Sequence, residues 1–308
     1  MNVLKNLVQT HLKRRFNKLR IATLGLTGCS GCHVALVSLH EKLLELLKNA
    51  ELVHSYILTD EKEIPENIDL GIVEGSVRTT HNEEKVKELR DKTKILVALG
   101  SCSCFGGVQG LGNVYNVEAL LTKVYKQTVT TVEGLIPTKD LPEVFKVKPV
   151  TEVVKVDYMI PGCPPEVESI AEVLTAIVQG KTPTLPAKNV CDECPRERRN
   201  IPPKELKRLH TGNPDPKICL LEQGYLCMGP ATRSGCGAKC PKANMPCEGC
   251  YGPCEKAWDQ GLAMLDALTA MMGKVLPNFK METHPGMFYR YTYASSILSK
   301  LSKMVKKR

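Results

Sequence analysis

The sequence predicts an α/β protein: a parallel-sheet domain, then an irregular cysteine-rich domain, then C-terminal helices. Three observations carry this. Short apolar runs alternate with helical periodicities from residue 20 to residue 180, the pattern of a parallel sheet with right-handed crossovers. Beyond Thr182 the chain is broken by Pro183, Pro186, Pro195, Pro202, Pro203, Pro214 and Pro216, and nine of its 14 cysteines crowd between Cys191 and Cys254. Helical periodicity returns only over Glu255–Met272 and Gly286–Lys307.

The elements follow in order. Arg20–Leu26 reads as the first strand. His33–Leu47 reads as a helix, with Val34, Val37, Leu43, Leu44, Leu46 and Leu47 against Glu41, Lys42 and Glu45. Asp69–Val73 is a buried strand, Glu83–Arg90 a charged helix, and Ile95–Leu99 a strand closed by Gly100. Asn116–Lys126 is helical, and Val132–Pro149 is a long connection marked by Pro137 and Pro142. Val153–Ile160 is the next strand, broken by Pro161-Gly162. The helix after it opens at Pro165, carries Glu166 and Glu168 in its first turn and closes at Gly180. The proline-rich stretch lacks the apolar periodicity of a core, so its cysteines are expected to hold it. Glu255–Met272 is a helix (Trp258, Leu262, Leu265, Leu268, Met271, Met272) stopped by Gly273. Gly286–Lys307 is a basic amphipathic helix whose Met287, Phe288, Tyr291, Ile297, Leu298 and Leu301 are expected to dock on a partner subunit. The domain boundaries are 1–19 (basic extension), 20–182 (sheet domain), 183–273 (cysteine-rich domain) and 274–308 (basic C-terminal helix).

Composition narrows the function. At 308 residues, 43% hydrophobic and 24% charged, the chain is globular, and no run of eighteen apolar residues suggests a membrane span. The net charge of +9 resides in two acid-free tails, residues 1–20 and 298–308, so the rest is slightly acidic and offers no groove for nucleic acid. No apolar segment of a secretory signal follows the basic start. Arg14-Arg15 precedes a strand and cysteines rather than an export signal. A cysteine-rich chain without export points to the cytoplasm, and to metal ligation rather than disulfides.

A parallel sheet gathers its strand-to-helix loops at one edge. Three such loops carry cysteine: Cys29 and Cys32, then Cys102, then Cys163. Residues more than a hundred positions apart should therefore meet. Four dispersed thiols on glycine-flanked loops suit a 4Fe–4S cluster better than zinc, which favours compact ligand knuckles. Helices that begin beside these cysteines would turn positive termini toward a cluster of net charge about −2. A second set is Cys191, Cys194, Cys219 and Cys227. A third is Cys236, Cys240, Cys247 and Cys250, with Cys254 left over. By pattern alone these two sets fit either iron–sulfur clusters or zinc.

A resemblance separates the two. Leu24-Gly-Leu-Thr-Gly-Cys-Ser-Gly-Cys-His33, Glu74-Gly75 after a strand, Gly-Ser-Cys102 through Gly107, and Pro-Gly-Cys-Pro-Pro165 resemble the small subunit of nickel–iron hydrogenases. So do Gly224-Tyr-Leu-Cys227-Met-Gly-Pro-Ala-Thr232 and Pro246-Cys-Glu-Gly-Cys250. The resemblance implies a flavodoxin-like domain and three 4Fe–4S clusters. Cys29, Cys32, Cys102 and Cys163 would be the proximal ligands. Cys236, Cys240, Cys247 and Cys250 would be medial, and Cys191, Cys194, Cys219 and Cys227 distal. Cys191 stands where membrane-type relatives have histidine, and Cys254 competes with Cys236 or Cys240 for a medial place. Gly28 replaces the acidic residue that precedes the first proximal cysteine in relatives, so that acid's role does not transfer. The pattern is most similar to the cytoplasmic archaeal branch, and four proximal cysteines favour its F(420)-non-reducing type over the gamma subunit of the F(420)-reducing type. Implied partners are a nickel–iron large subunit and a small 2Fe–2S subunit leading to heterodisulfide reductase flavoproteins. The related quinone-reductase subunit is excluded, since this chain has no Cys-Cys pair. A zinc-stabilised binding module is the alternative of a different class.

Other polar residues have plainer readings. Cys104 is expected to be a buried spectator thiol, His33 a helix-opening residue and Glu74 a carboxylate that binds loop N–H groups. Arg78, His81 and Arg233 read as surface residues.

Overall fold

The computed structural model describes residues 18–132, 134–207, 211–272 and 285–305. The basic stretch 1–17 and the end of the last expected helix lie outside them. The first half is built from β1 (Leu19–Gly25), α1 (Gly31–Val37), α2 (Glu41–Asn49), β2 (Ala50–Ser55), β3 (Ile68–Glu74), β4 (Val77–Thr79) and α3 (Thr80–Asp91). β5 (Thr93–Leu99), α4 (Gly100–Phe105), α5 (Val117–Lys126), β6 (Val144–Lys148), β7 (Tyr158–Ile160) and α6 (Val167–Val178) complete it. The main sheet has five strands in the order β2-β1-β3-β5-β7, all parallel. This is the 2-1-3-4-5 winding of flavodoxin-like folds, whose ligands sit beyond the carboxyl ends of the strands.

Apolar side chains on both sheet faces make the core. Leu70, Ile72, Val97 and Leu99 pack with Ala35, Leu36, Leu46, Ile170, Leu174 and Ile177, from α1, α2 and α6. Ala22, Leu24, Ile68, Val73 and Leu96 meet Val86 and Leu89 of α3 on the other face. A doubly covered sheet needs near-continuous apolar strands, which is why these strands were legible as runs.

Several expectations are corrected. The helix over His33–Leu47 is two helices, because His40 (φ 49°) breaks the path between α1 and α2. The strand over Val153–Ile160 shrinks to Tyr158–Ile160, and Val150–Glu152 forms a 3₁₀ turn. The connection Val132–Pro149 contains β6, which pairs antiparallel with β4. The edge strand β2 follows α2 directly and had no turn signal to announce it. The helix over Glu255–Met272 begins only at Gln260, which leaves Trp258 96% exposed.

The cysteine-rich half does have a core of its own. Val190, Leu206, Leu220, Leu221, Tyr225, Leu226 and Met228 are buried together with Cys227 and Cys247. They pack on Met264 and Leu268 of α8 (Gln260–Met272) and on Phe288 and Tyr289. These residues are scattered rather than periodic, and part of the core arrives from the C-terminal segment. α7 is the single turn Lys239–Lys242. The expected long C-terminal helix is instead two 3₁₀ turns followed by α9 (Ile297–Val305). Its expected docking face divides accordingly. Phe288 is buried inside this chain, while Ile297, Leu298 and Leu301 are exposed.

Residues 286–297 form a strap across both halves. Tyr289 lies over Gly261, and the Ala294 methyl fills the space beside Gly106 and Gly110. Thr292 Oγ1 donates to Gln260 Oε1 at 3.1 Å, and the Ile297 N–H donates to Asp259 Oδ2 at 2.9 Å. Arg290 pairs with Glu248 at 2.6 Å. The Phe105 ring packs against Gly252, so the halves also touch directly.

Candidate metal centres

The carboxyl edge of the sheet brings the first set of cysteines together. Cys29 and Cys32 follow β1, Cys102 lies in α4 after β5, and Cys163 follows β7. Their loops are tied to one another. The Ser101 N–H donates to Gly162 O at 2.8 Å, and Ser103 Oγ donates to Val73 O and Gly75 O at 2.7 and 2.9 Å. Gly100 (φ 86°) and Gly107 (φ 64°) adopt left-handed backbone, and a Cβ at either would strike the sulfur of Cys32 or Cys102. Burial pushes Cys102 up to about 12, with Cys163, Cys29 and Glu74 adding to it. Cys32 is raised further, by burial and then by Glu74 and the other three thiols of the set. Burial also raises Cys163, with help from Cys29 and Glu248.

The second set also converges. Burial lifts Cys191 up to about 12, and Cys227, Cys219 and Cys194 face it. Cys227 rises to about 11 through burial, moderated by the N–H groups of Gly229 and Cys247. The Cys247 N–H lies 3.2 Å from Cys227 Sγ. A void of about 30 Å³ is lined by all four cysteines together with Arg196, Arg198 and Pro241. Outside it a cavity of about 450 Å³ is bordered by Cys191, Cys219, Cys227, Arg198, Ala270 and Met271.

In the third set burial pushes Cys250 up to about 12, with Cys236 and Cys240 opposing it. Cys236 and Cys240 are raised by burial too, and Cys240 is exposed at the surface. Cys247 is well buried, and its strongest thiol neighbours are Cys227 and then Cys250, so it stands between the second and third sets. Cys254 is anchored through its backbone N–H to Ala231 O, on the segment that follows Cys227.

Burial makes Cys102, Cys191 and Cys250 harder to ionise than an ordinary thiol. Iron cations between such thiols would reverse that preference, since metals bind thiolates. Among the described residues no three side chains close around a single ion. Sets of four soft thiols on glycine-flanked turns suit iron–sulfur clusters.

Neighbouring polar groups take structural places. His33 is 3% exposed; its N–H donates to Glu74 Oε2 at 2.9 Å, and its Nε2 lies 2.9 Å from Thr23 Oγ1. Its Nδ1 approaches Glu74 Oε1 to 2.9 Å without hydrogen-bond alignment. Glu74 thus binds an N–H in the first turn of α1 rather than the loop N–H groups expected of it. Cys104 is 2% exposed, its Sγ lies 3.5 Å from Ala98 O, and burial raises its pKa. Arg196 and the Glu248–Arg290 pair give no signal in the sequence, because CPRERR looks like a solvated charge run.

A sheet wound 2-1-3-4-5 with thiols at its carboxyl edge and a cysteine-rich half beyond it is the build of a nickel–iron hydrogenase small subunit. One chain of an NAD⁺-reducing [NiFe]-hydrogenase in its H2-reduced state matches with TM-score 0.52 and 36% identity, over 55% of this chain and 96% of that one. The family model for the 20 Kd subunit of NADH ubiquinone oxidoreductase matches residues 29–177. A vhu subunit of the F420-non-reducing hydrogenase of Methanocaldococcus jannaschii is 45% identical over 285 residues, 92% of this chain and 98% of that protein. The iron-sulfur subunit of the F420-non-reducing hydrogenase of Archaeoglobus profundus is 36% identical, over 92% of this chain and 98% of that protein. Within the small-subunit class, the chain belongs to the family formed by these subunits of archaeal F420-non-reducing hydrogenases. It is a subunit of an oxidoreductase that acts on H2, with catalysis in a partner subunit.

Proposed function

We propose that this chain carries electrons from H2 oxidation through three 4Fe–4S clusters to an iron–sulfur or flavoprotein partner in the cytoplasm. Cys29, Cys32, Cys102 and Cys163 hold the proximal cluster. Cys236, Cys240, Cys247 and Cys250 hold the medial one, and Cys191, Cys194, Cys219 and Cys227 the distal one. Bound clusters supply one-electron acceptors whose potentials depend on charge, hydrogen bonds to sulfur and exposure. The protein's own part is to fix and shield them.

The observation that carries this reading is continuity between the sets. Ser101 Oγ, next to Cys102, donates to Cys250 O, and the Cys247 N–H meets Cys227 Sγ at 3.2 Å. Hydrogen bonds between side chain and backbone thus join proximal to medial and medial to distal. At the start of the path Cys29 and Cys163 are exposed. Val34 and Val37 of α1 and Tyr56, Ile57 and Leu58 beyond β2 expose apolar surface near the same edge. Such a surface suits a large nickel–iron subunit. At the other end the cavity beside Cys191 and Cys219 opens toward a small 2Fe–2S subunit and, through it, heterodisulfide reductase flavoproteins. The segments 20–182 and 183–273 are the working domains in this scheme, between the extension 1–19 and the C-terminal segment 274–308. Among the described residues no helix is long and apolar enough to cross a membrane.

The gamma subunit of an F(420)-reducing hydrogenase would share this path and differ in its acceptor. Four thiols at the proximal edge and relatives named F420-non-reducing favour the first reading. Anaerobically purified complex should contain about twelve iron atoms for each copy of this chain, beyond those of the nickel–iron centre and the 2Fe–2S partner. Under H2 it should reduce a viologen and leave F(420) oxidised. Two or three zinc atoms with no visible absorption would refute the conduit, and rapid F(420) reduction would refute the choice of acceptor.

A further inference from the structure

Arg196, two residues past Cys194, is 7% exposed. Among the described residues its guanidinium meets only neutral acceptors. Nε donates to Pro241 O at 3.0 Å, and Nη1 donates to Asp215 O and Ile218 O at 2.8 and 2.9 Å. Nη2 donates to Asn244 Oδ1 at 2.5 Å. Among the described residues the arginines in ion pairs are Arg90, Arg199 and Arg290. Arg196 is therefore a buried, permanent charge without a carboxylate partner. An uncompensated buried charge is costly by several kcal/mol. The same side chain lines the void bounded by Cys191, Cys194, Cys219 and Cys227. Four thiolates on a 4Fe–4S core bring net negative charge to that void, and more of it on reduction.

We propose that Arg196 is the fixed counter-charge of the distal cluster, and that it raises that cluster's reduction potential by stabilising the reduced form. The inference rests on reading the second set as a cluster. Arg198 lines the same void and its charge acts on Cys191, but it is exposed to solvent, where water and salt weaken it. A purely mechanical role for Arg196 has a basis too, since its acceptors lie beside Cys219 and Cys240. A clamp, however, would not need to act on potential.

The test is an EPR-monitored redox titration of the intact hydrogenase complex carrying Arg196→Gln, Arg196→Lys or Arg198→Gln, with iron and sulfide counted in each. At the potential that half-reduces the wild-type distal cluster, Arg196→Gln should lower the reduced-to-oxidised ratio about tenfold, a displacement of ~59 mV. Arg196→Lys should stay within about twofold of wild type, and Arg198→Gln should shift the ratio by less than Arg196→Gln does. An Arg196→Gln variant that keeps its clusters at the wild-type potential overturns the proposal. If Arg196→Gln loses the distal cluster, Arg196→Lys decides. Retention at the wild-type potential upholds the charge role, and loss there too makes Arg196 a clamp and overturns it. Wild-type complex lacking a distal signal would instead sink the cluster reading, and the proposal with it.

Discussion

Gly100 and Gly107 show what single residues do at the sheet edge. Each gives up a side chain so that a sulfur can lie against backbone. Gly100→Ala would put a methyl group into the Cys32 sulfur on a strained φ. The expected outcome is loss of about four iron atoms per chain with the sheet intact, measured by metal analysis and far-UV circular dichroism. Cys163→Ala should abolish H2-driven viologen reduction while the chain remains folded; unchanged turnover would remove Cys163 from the proximal set. At this scale the sequence was most legible where chemistry is concentrated. CxxC pairs and flanking glycines announce tight thiol turns wherever they occur. Arg196 was illegible because one buried arginine among Glu197, Arg198 and Arg199 has no pattern of its own. Only the approach of residues 215–218 and 241–244 reveals it.

Whole elements are set by longer-range pairings. Asp157 precedes β7 and accepts the Leu96 N–H at 2.8 Å and Arg90 Nη1 at 2.7 Å, joining β5, α3 and the last strand. Partial burial opposes its ionisation, but these two bonds prevail and hold its carboxyl below the usual value. A carboxyl depressed in the folded state adds stability above its unfolded pKa and loses it as pH falls through the folded one. Asp157→Asn should cost about 1–2 kcal/mol at neutral pH. The deficit should shrink below about pH 4, as thermal melts of wild type and variant at both pH values would register. The inner strands β1, β3 and β5 were readable as apolar runs because helices cover both their faces. β2 and β6 were not. β2 follows α2 without a turn signal, and β6 lies in a proline-marked connection where pairing with β4 decides the conformation. β7 was overextended because Val153, Val154 and Val156 are apolar for packing against the sheet rather than for pairing within it.

Across the whole molecule, the two halves depend on iron to different degrees. The sheet half has two apolar layers that contain no expected ligand except Cys32 at a margin. In the other half Cys227 and Cys247 belong to the buried core itself. Removing iron should therefore open the second half first. Limited proteolysis after anaerobic chelation should cut within 183–258 before it cuts within 19–178, and the reverse order would contradict this division of cores. The division into a wound sheet and a cysteine-rich half was legible from the sequence, because alternation and proline breaks differ so sharply. The second half's apolar core was hidden, because its members are far apart in the chain and follow no period.

The strap over residues 286–297 has a consequence for how the molecule is made. Gly106, Gly110, Glu248, Asp259, Gln260 and Gly261, the residues it fastens, all leave the ribosome before it does. Until that last stretch arrives, the sheet and the cysteine loops are joined only by their own direct contacts. Inorganic cargo would be delivered most easily in that interval, and the closing of the strap would then act as a latch on a loaded protein.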